Sequence, residues 1–212
     1  MKRLCLSALC ALACLPARGE IVVTDVNGSS IRLAVPAKRI VSLAPHITEL
    51  LFAAGAGDRV VGNVEYGNYP PAAGILPKVG NYGRLDLEAI VALKPDLVLG
   101  WESGNAPASV TKLRSLGLTV HLSETHRIED IAGELERIGK LAGTEATANA
   151  AAKAFRQRYA KLAARYSRRP PVAVFYQIWK QPLMTVNGKQ IISDAIHLCG
   201  GRNVFAQLPI MA

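Results

Sequence analysis

The sequence contains no Gly-x-Gly-x-x-Gly turn, no phosphate-binding loop, no Gly-x-Ser-x-Gly elbow and no Cys-x-x-Cys pair. Their absence removes the common signatures of nucleotide binding, serine hydrolysis and structural zinc, and counts against an enzyme. The four histidines, His46, His121, His126 and His197, are not spaced to share one helix face. Only His121 and His126 could meet, across a loop, so surface or helix-capping positions are expected for them. No stretch beyond Leu15 is apolar for the ~20 residues that a bilayer requires. Basic residues are scattered, with only Arg165, Arg168 and Arg169 clustering beside Lys161. That pattern decorates a helix end and speaks against a nucleic-acid partner.

What is present first is an export signal. Met1, Lys2 and Arg3 precede an apolar block from Leu4 to Leu15, and Pro16, Ala17, Arg18 and Gly19 follow. This is the three-part layout of a secretory signal, with cleavage expected after Gly19 and a soluble periplasmic product. A buried or amphipathic first helix is the bland alternative. Ala11 to Cys14 also offers a lipid-attachment box, an indifferent match because Leu12 stands just before the small residue. Removal of residues 1–19 leaves 22 basic against 16 acidic residues, a mildly basic charge of +6. It also removes Cys5, Cys10 and Cys14, leaving Cys199 as the only thiol. One leftover cysteine in an exported protein is odd. Either Cys199 is buried, or its partner belongs to a segment outside this chain.

With 212 residues, half of them hydrophobic, the chain can bury a core as one large domain or two small ones. Ile21 to Thr24 and Ile31 to Leu33 flank Asn27-Gly28, a hairpin signal, and residues 20–38 are expected as a leader ribbon. Strand and helix patterns then alternate. Strands are expected at Arg39 to Leu43, Arg59 to Asn63, Asp96 to Gly100 and Leu118 to Leu122. Helices are expected from a Thr48 cap to Ala54, at Leu87 to Leu93 and at Ala108 to Leu116. The alternation over 39–142 predicts an α/β lobe with a mostly parallel sheet. Residues 127–142 and 144–168 are alanine-rich and free of proline. The second segment predicts one helix of about six to seven turns, a spine rather than part of a small lobe, stopped by Pro170-Pro171. From 171 to 212, strands at Val172 to Gln177 and Leu183 to Val186 and a helix at Ile191 to Leu198 predict the opening of a second α/β unit.

The aromatic residues stand in loops. Tyr66 and Tyr69 occupy Val64 to Pro71, Tyr82 lies between Asn81 and Gly83, and Trp101 follows the strand Leu97 to Gly100. In an open α/β sheet, residues past the carboxyl ends of strands face the ligand crevice, so Tyr66, Tyr82 and Trp101 are candidates for one wall of a cleft. Such a wall suits a large, flat, partly apolar ligand. The competing reading is that these rings cover the lobe's own loops.

The order of motifs resembles the helical-backbone (class III) periplasmic binding proteins, and within them the cobalamin-binding branch. The likeness rests on Ile40 to Pro45 with Thr48 to Leu50, the Tyr66 to Pro71 loop, Leu87 to Val98 with its Lys94-Pro95-Asp96 strand entry, and Cys199 to Phe205. It implies two α/β lobes joined by one long helix, with cobalamin or a related corrinoid held between them as cargo. No catalysis and no bound cofactor are implied. By the same resemblance Tyr66, Tyr82 and Trp101 contact the corrin, Trp179 faces them from the second lobe, and Glu88 docks onto the membrane permease of an ABC importer. A monomer is expected. The resemblance also implies further residues in the second lobe, among them a cysteine that pairs with Cys199. Rival readings are a haem or iron-siderophore binder using Tyr66 or His46, a metal-dependent enzyme built on His121, Glu124 and His126, and a truncated product without a transport role.

Overall fold

The computed structural model describes residues 19–81 and 83–209. The export signal expected over residues 1–19 lies outside the described residues apart from Gly19, and so does Tyr82. In chain order the elements are the ribbon strands β1 (Ile21–Thr24) and β2 (Ser30–Leu33), then β3 (Ile40–Ser42), α1 (Pro45–Ala53), β4 (Val60–Gly62), the single turn α2 (Pro71–Gly74), α3 (Leu87–Ala92) and β5 (Leu97–Trp101). They continue with α4 (Pro107–Ser115), β6 (Val120–Ser123), α5 (Asp130–Ala142), α6 (Glu145–Tyr166), β7 (Val172–Val174), α7 (Ile191–Leu198) and β8 (Gly201–Asn203).

Strands β4, β3, β5 and β6 form, in that order, one parallel sheet. Successive side chains of a strand point to opposite faces. Ile40, Leu97 and Leu99 therefore enter one core with Ile47 and Leu51 of α1, Ile138 and Leu141 of α5, and Ala148 of α6. Val41, Val98, Val120 and Leu122 enter the other, with Ile90 of α3 and Val110 and Leu113 of α4. Helices on both faces are what allow a parallel sheet of continuously apolar strands to persist in water. The fold is α/β, as the alternation predicts.

Local chemistry explains most boundaries. The ribbon turns at Gly28 with φ of +79°, while Asp25 Oδ1 accepts the backbone N–H groups of Asn27 at 3.0 Å and Ser29 at 2.8 Å. Asp86 caps α3 by accepting the N–H of Ala89 at 2.9 Å. The expected start of α1 at Thr48 is corrected. The helix begins at Pro45, whose ring presets the first helical φ, and Ala44 is the cap residue. Thr48 is instead buried, donating from Oγ1 to Ser42 Oγ at 2.9 Å.

Helices α5 and α6 join at Gly143, left-handed at φ of +64°. They then pack closely, because a Cβ on Gly139 would overlap that of Ala148. The helix expected over 144–168 runs from Glu145 to Tyr166. Its first half is docked, with Ala148 and Ala152 buried and Phe155 against the core, and it also meets α7.

Beyond α6, β7 and β8 pair in parallel with α7 as the crossover. The strand expected at Leu183 to Val186 is corrected. Only an isolated bridge between Trp179 and Met184 forms there, and the partner of β7 is β8, which lies in the glycine-rich stretch that follows α7. Gly201-Arg202-Asn203 has little strand propensity. It is extended because Asn203 is pinned, its Nδ2 donating to Val186 O at 2.8 Å and Ser193 Oγ at 2.7 Å. Among the described residues Cys199 is unpaired, and it is exposed rather than buried.

Candidate functional site

Because the four sheet strands run the same way, their carboxyl ends and the loops that follow lie along one edge. Three side chains meet there: His46 in the first turn of α1, Trp101 at the end of β5, and Glu124 just after β6. They line an open cleft of about 450 Å³ together with Leu50 and Ile131, and Ile191 lines it from the start of α7. The approach of α7 is held by Asp194, which accepts the backbone N–H of Ile128 at 2.8 Å and lies 4.0 Å from Arg127. A cleft of this size with mixed apolar and polar lining is within the ordinary range for small-molecule sites.

Trp101 is fixed from four sides. Its backbone N–H donates to Asn105 Oδ1 at 2.7 Å, and Asn105 Nδ2 donates to Leu43 O at 3.0 Å, which ties the ends of β5 and β3 together. Its indole Nε1 donates to Glu124 Oε1 at 3.2 Å. His46 stands edge-on to it, with centroids 5.2 Å apart and planes at 86°. Finally, a Cβ on Gly104 would overlap the indole, so the ring occupies its place only because residue 104 has no side chain.

The charges follow from these contacts. Burial raises the proton affinity of Glu124, but the hydrogen bonds from Ser103 and Trp101 and the neighbouring His126 outweigh it and hold the carboxyl below its usual range. Glu124 therefore remains an anion that anchors the tryptophan. Burial lowers the pKa of His46 and outweighs the opposing charges of Glu124 and Glu134, favouring the neutral imidazole.

A second cavity of about 450 Å³ lies between the ribbon and α5, lined by Asp25, Ser123, His126, Glu134 and Arg137 among others. Its central carboxylate is spent within the protein. Glu134 Oε2 pairs with Arg137 at 2.7 Å, and Oε1 lies 3.3 Å from His121 Nε2. The surface or capping position expected for His121 is thereby corrected. It is fully buried, because the alternation along β6 turns it inward against α5. His126 is exposed, so His121, Glu124 and His126 do not converge, and no group of three or more His, Cys, Asp or Glu able to hold a metal exists among the described residues.

Of the other residues singled out from sequence, Tyr66 lies past the carboxyl end of β4, on the same edge, but is 75% exposed and not part of the cavity lining. Its φ is +65°, a conformation that costs a non-glycine residue about 1–2 kcal/mol. The loop holds it there through Asn63, whose Nδ2 donates to Gly67 O, and Lys78, whose Nζ donates to Asn63 Oδ1 at 2.7 Å. Trp179 is 63% exposed, its indole donating to Gln181 O at 3.1 Å. Glu88 is exposed in the first turn of α3. Sequence reasoning missed Gly104, Asn63 and Asn105. The recurrence of asparagine just beyond a buried strand, at Val60 to Asn63 and Leu97 to Asn105, was the available signal.

This geometry can be set beside known proteins. Residues 40–210 match the family of periplasmic binding proteins. The chain belongs to that family. It is 41% identical over 171 residues to the vitamin B12-binding protein of Vibrio parahaemolyticus, covering 81% of this chain and 62% of that protein. The chain thus spans about 62% of the length of the relatives it matches. Among solved structures, the periplasmic vitamin B12 binding protein BtuF of Vibrio cholerae superposes with a TM-score of 0.78 at 40% identity, covering 83% of this chain and 69% of that one. The periplasmic heme-binding protein RhuT from Roseiflexus superposes with a TM-score of 0.71 at 28% identity, covering 82% and 68%. The class III fold inferred from the motif order is the fold of these relatives.

Proposed function

We propose that this chain is a solute-binding protein that takes a corrinoid, cobalamin foremost, against the cleft at Trp101, and hands it to the permease of an ABC importer without chemical change. The single observation that carries this reading is the joint one: 41% identity to vitamin B12-binding proteins, with an immobilised tryptophan in the cleft where the sheet's carboxyl edge meets α7. An aromatic ring held rigid before binding gives contact area at little entropic cost, which suits a flat macrocycle. Tyr66 and Trp179, both exposed and aromatic, are the proposed further contacts, and Tyr82 belongs to the same set. Glu88 is the proposed docking carboxylate, since it stands in solvent on a capped helix. The division into ribbon 20–38, first lobe 39–142, connecting helix 144–168 and second unit from 171 is part of the same proposal, as are export to the periplasm through residues 1–19 and a monomeric state.

The test is calorimetric titration with cyanocobalamin. Saturable binding is expected, weakened at least tenfold, or about 1.4 kcal/mol, by Trp101→Ala. Binding unaffected by that change would remove Trp101 from the site. A second reading, haem as cargo, is favoured by the heme-binding relative at 28% identity. Hemin bound in place of cyanocobalamin would select it.

A further inference from the structure

Charge is segregated along this chain. Residues 20–145 hold fifteen acidic against twelve basic residues, whereas the stretch between Glu145 and Asp194 holds nine basic residues and no acidic one. Seven of the nine fall from Lys153 to Arg169, on the second half of α6 and just past its end. The first half of that helix is the half docked on the core, through Ala148, Ala152 and Phe155. Arg156 is paired with Glu136 at 2.8 Å. Arg158, Lys161, Arg165, Arg168 and Arg169 have no carboxylate partner among the described residues.

The spacing puts three of these on one line. Positions 158, 161 and 165 are separated by three and then four residues, so their side chains stack on a single helix face. All three are exposed, and Arg168, also exposed, follows about one turn on. The line is about 15 Å long at a rise of 1.5 Å per residue. The guanidinium groups of Arg165 and Arg169 lie 5.6 Å and 5.0 Å from the Tyr166 ring. Such a contact steadies a cation without neutralising it. The neighbouring exposed positions on the helix are Ala154, Gln157, Ala160 and Ala164. A protein partner takes hold through buried anchors, aromatic ones above all, and the side chains between these charges supply none. What remains is a row of unneutralised positive charge, which suits a broad anionic surface.

We propose that this basic face of α6 rests on anionic phospholipid and so keeps the protein beside the membrane that holds its permease. The inference goes beyond the cargo reading and does not depend on what the cleft binds. Each Lys or Arg close to an anionic bilayer strengthens attachment about fivefold, within a Debye length of about 10 Å at 0.1 M salt. Three in line give on the order of a hundredfold at low salt. The acidic excess over residues 20–145 is repelled by the same surface, so charge alone orients the molecule with α6 toward the lipid. Among the described residues no helix is long and apolar enough to cross a membrane, and the contact proposed is a peripheral, reversible one.

The experiment uses the full chain and vesicles of phosphatidylcholine, alone or mixed with phosphatidylglycerol, and measures co-sedimentation at about 0.05 M and about 0.5 M sodium chloride. One variant combines Arg158→Glu, Lys161→Glu and Arg165→Glu. A second combines Arg158→Gln, Lys161→Gln and Arg165→Gln and guards against misfolding of the first. A control combines Lys38→Glu, Lys94→Glu and Lys112→Glu, which changes net charge as much as the first variant from exposed positions outside α6. Melting of each is followed by circular dichroism. Residues 1–19 are common to all four proteins, so any contribution from them cancels in the ratios. The unmodified protein is expected to bind the phosphatidylglycerol vesicles at least tenfold tighter than phosphatidylcholine alone at low salt, and to lose that preference at high salt. Both α6 variants are expected to bind the anionic vesicles at least tenfold more weakly, with the control within about threefold of the unmodified protein. Equal weakening in the α6 variants and the control assigns the effect to net charge and overturns the proposal. Equal binding to both kinds of vesicle, or binding to neither, overturns it as well. Binding of poly-glutamate in place of the vesicles assigns the face to an acidic polypeptide and overturns the lipid partner.

Discussion

Replacing Gly104 by alanine isolates the tryptophan from every other feature of the cleft. The new Cβ would overlap the indole of Trp101. The backbone cannot easily yield, because Asn105 Oδ1 accepts the N–H of Trp101 at 2.7 Å and the N–H of Asn105 donates to Trp101 O at 2.9 Å. The ring must therefore rotate, leaving Glu124 at 3.2 Å and the edge contact with His46 at 5.2 Å. A hydrogen bond to a charged partner contributes about 1.5–3 kcal/mol, toward the lower end at this partly exposed site. The aromatic contact adds about 0.5–1.5 kcal/mol. Alanine returns about 0.4–1 kcal/mol by restricting the unfolded chain. The net expectation is a loss of about 2 kcal/mol, read as a lowered midpoint in urea denaturation, together with a changed tryptophan fluorescence. The control is the same replacement in a Trp101→Ala background, where only the alanine gain of about 0.4–1 kcal/mol remains, giving a coupling energy of about 2.5–3 kcal/mol in the double-mutant cycle. Equal costs in the two backgrounds would refute the reasoning, because the glycine would then matter for something other than the ring.

Two further outcomes follow from the packing and the buried charges. Gly139→Leu forces α5 from α6 at Ala148 and is expected to lower stability by about 1–3 kcal/mol, visible as a fall in melting temperature. Burial pushes the Glu134 carboxyl up, but His121 first and Arg137 next outweigh it and hold the folded pKa below the ordinary value. A depressed carboxylate contributes stability that is present above the unfolded pKa and lost as pH falls through the folded one. Stability should thus decline below the ordinary glutamate range of about 4.3, and less steeply in Glu134→Gln. Parallel acid limbs in the two proteins would contradict this.

Much of the fold was legible because its signals are local. The β-branched runs at Ile40-Val41 and Leu97-Val98-Leu99 are apolar at every position, and only a sheet covered on both faces satisfies such strands. The proline-free, alanine-rich stretch ending at Tyr166 is a helix on propensity alone. Two errors had the opposite cause. Leu183 to Val186 has strand composition but among the described residues pairs only through an isolated bridge at Met184, whereas Gly201-Arg202-Asn203 lacks strand composition and is a strand because Asn203 is held by Val186 and Ser193. Propensity acts within a segment, and pairing is decided between segments.

The same division runs through the candidate site. Trp101 could be named from sequence, since a tryptophan directly after a buried strand must stand at the sheet's carboxyl edge. Sequence alone also determined the α/β class, the alternation that sets the strands parallel, and the absence of local metal-binding and nucleotide-binding motifs. Only the tertiary structure decided that His121 is turned inward to Glu134 and Arg137 while His46 lines the cleft beside Trp101, that Gly104 makes room for the indole, and that Ile191 of α7 lines a cavity begun some 145 residues earlier at His46. The physical reason is that a side chain's charge, freedom and partners depend on what is brought within a few ångströms of it, and those neighbours come from strands and helices far apart along the chain.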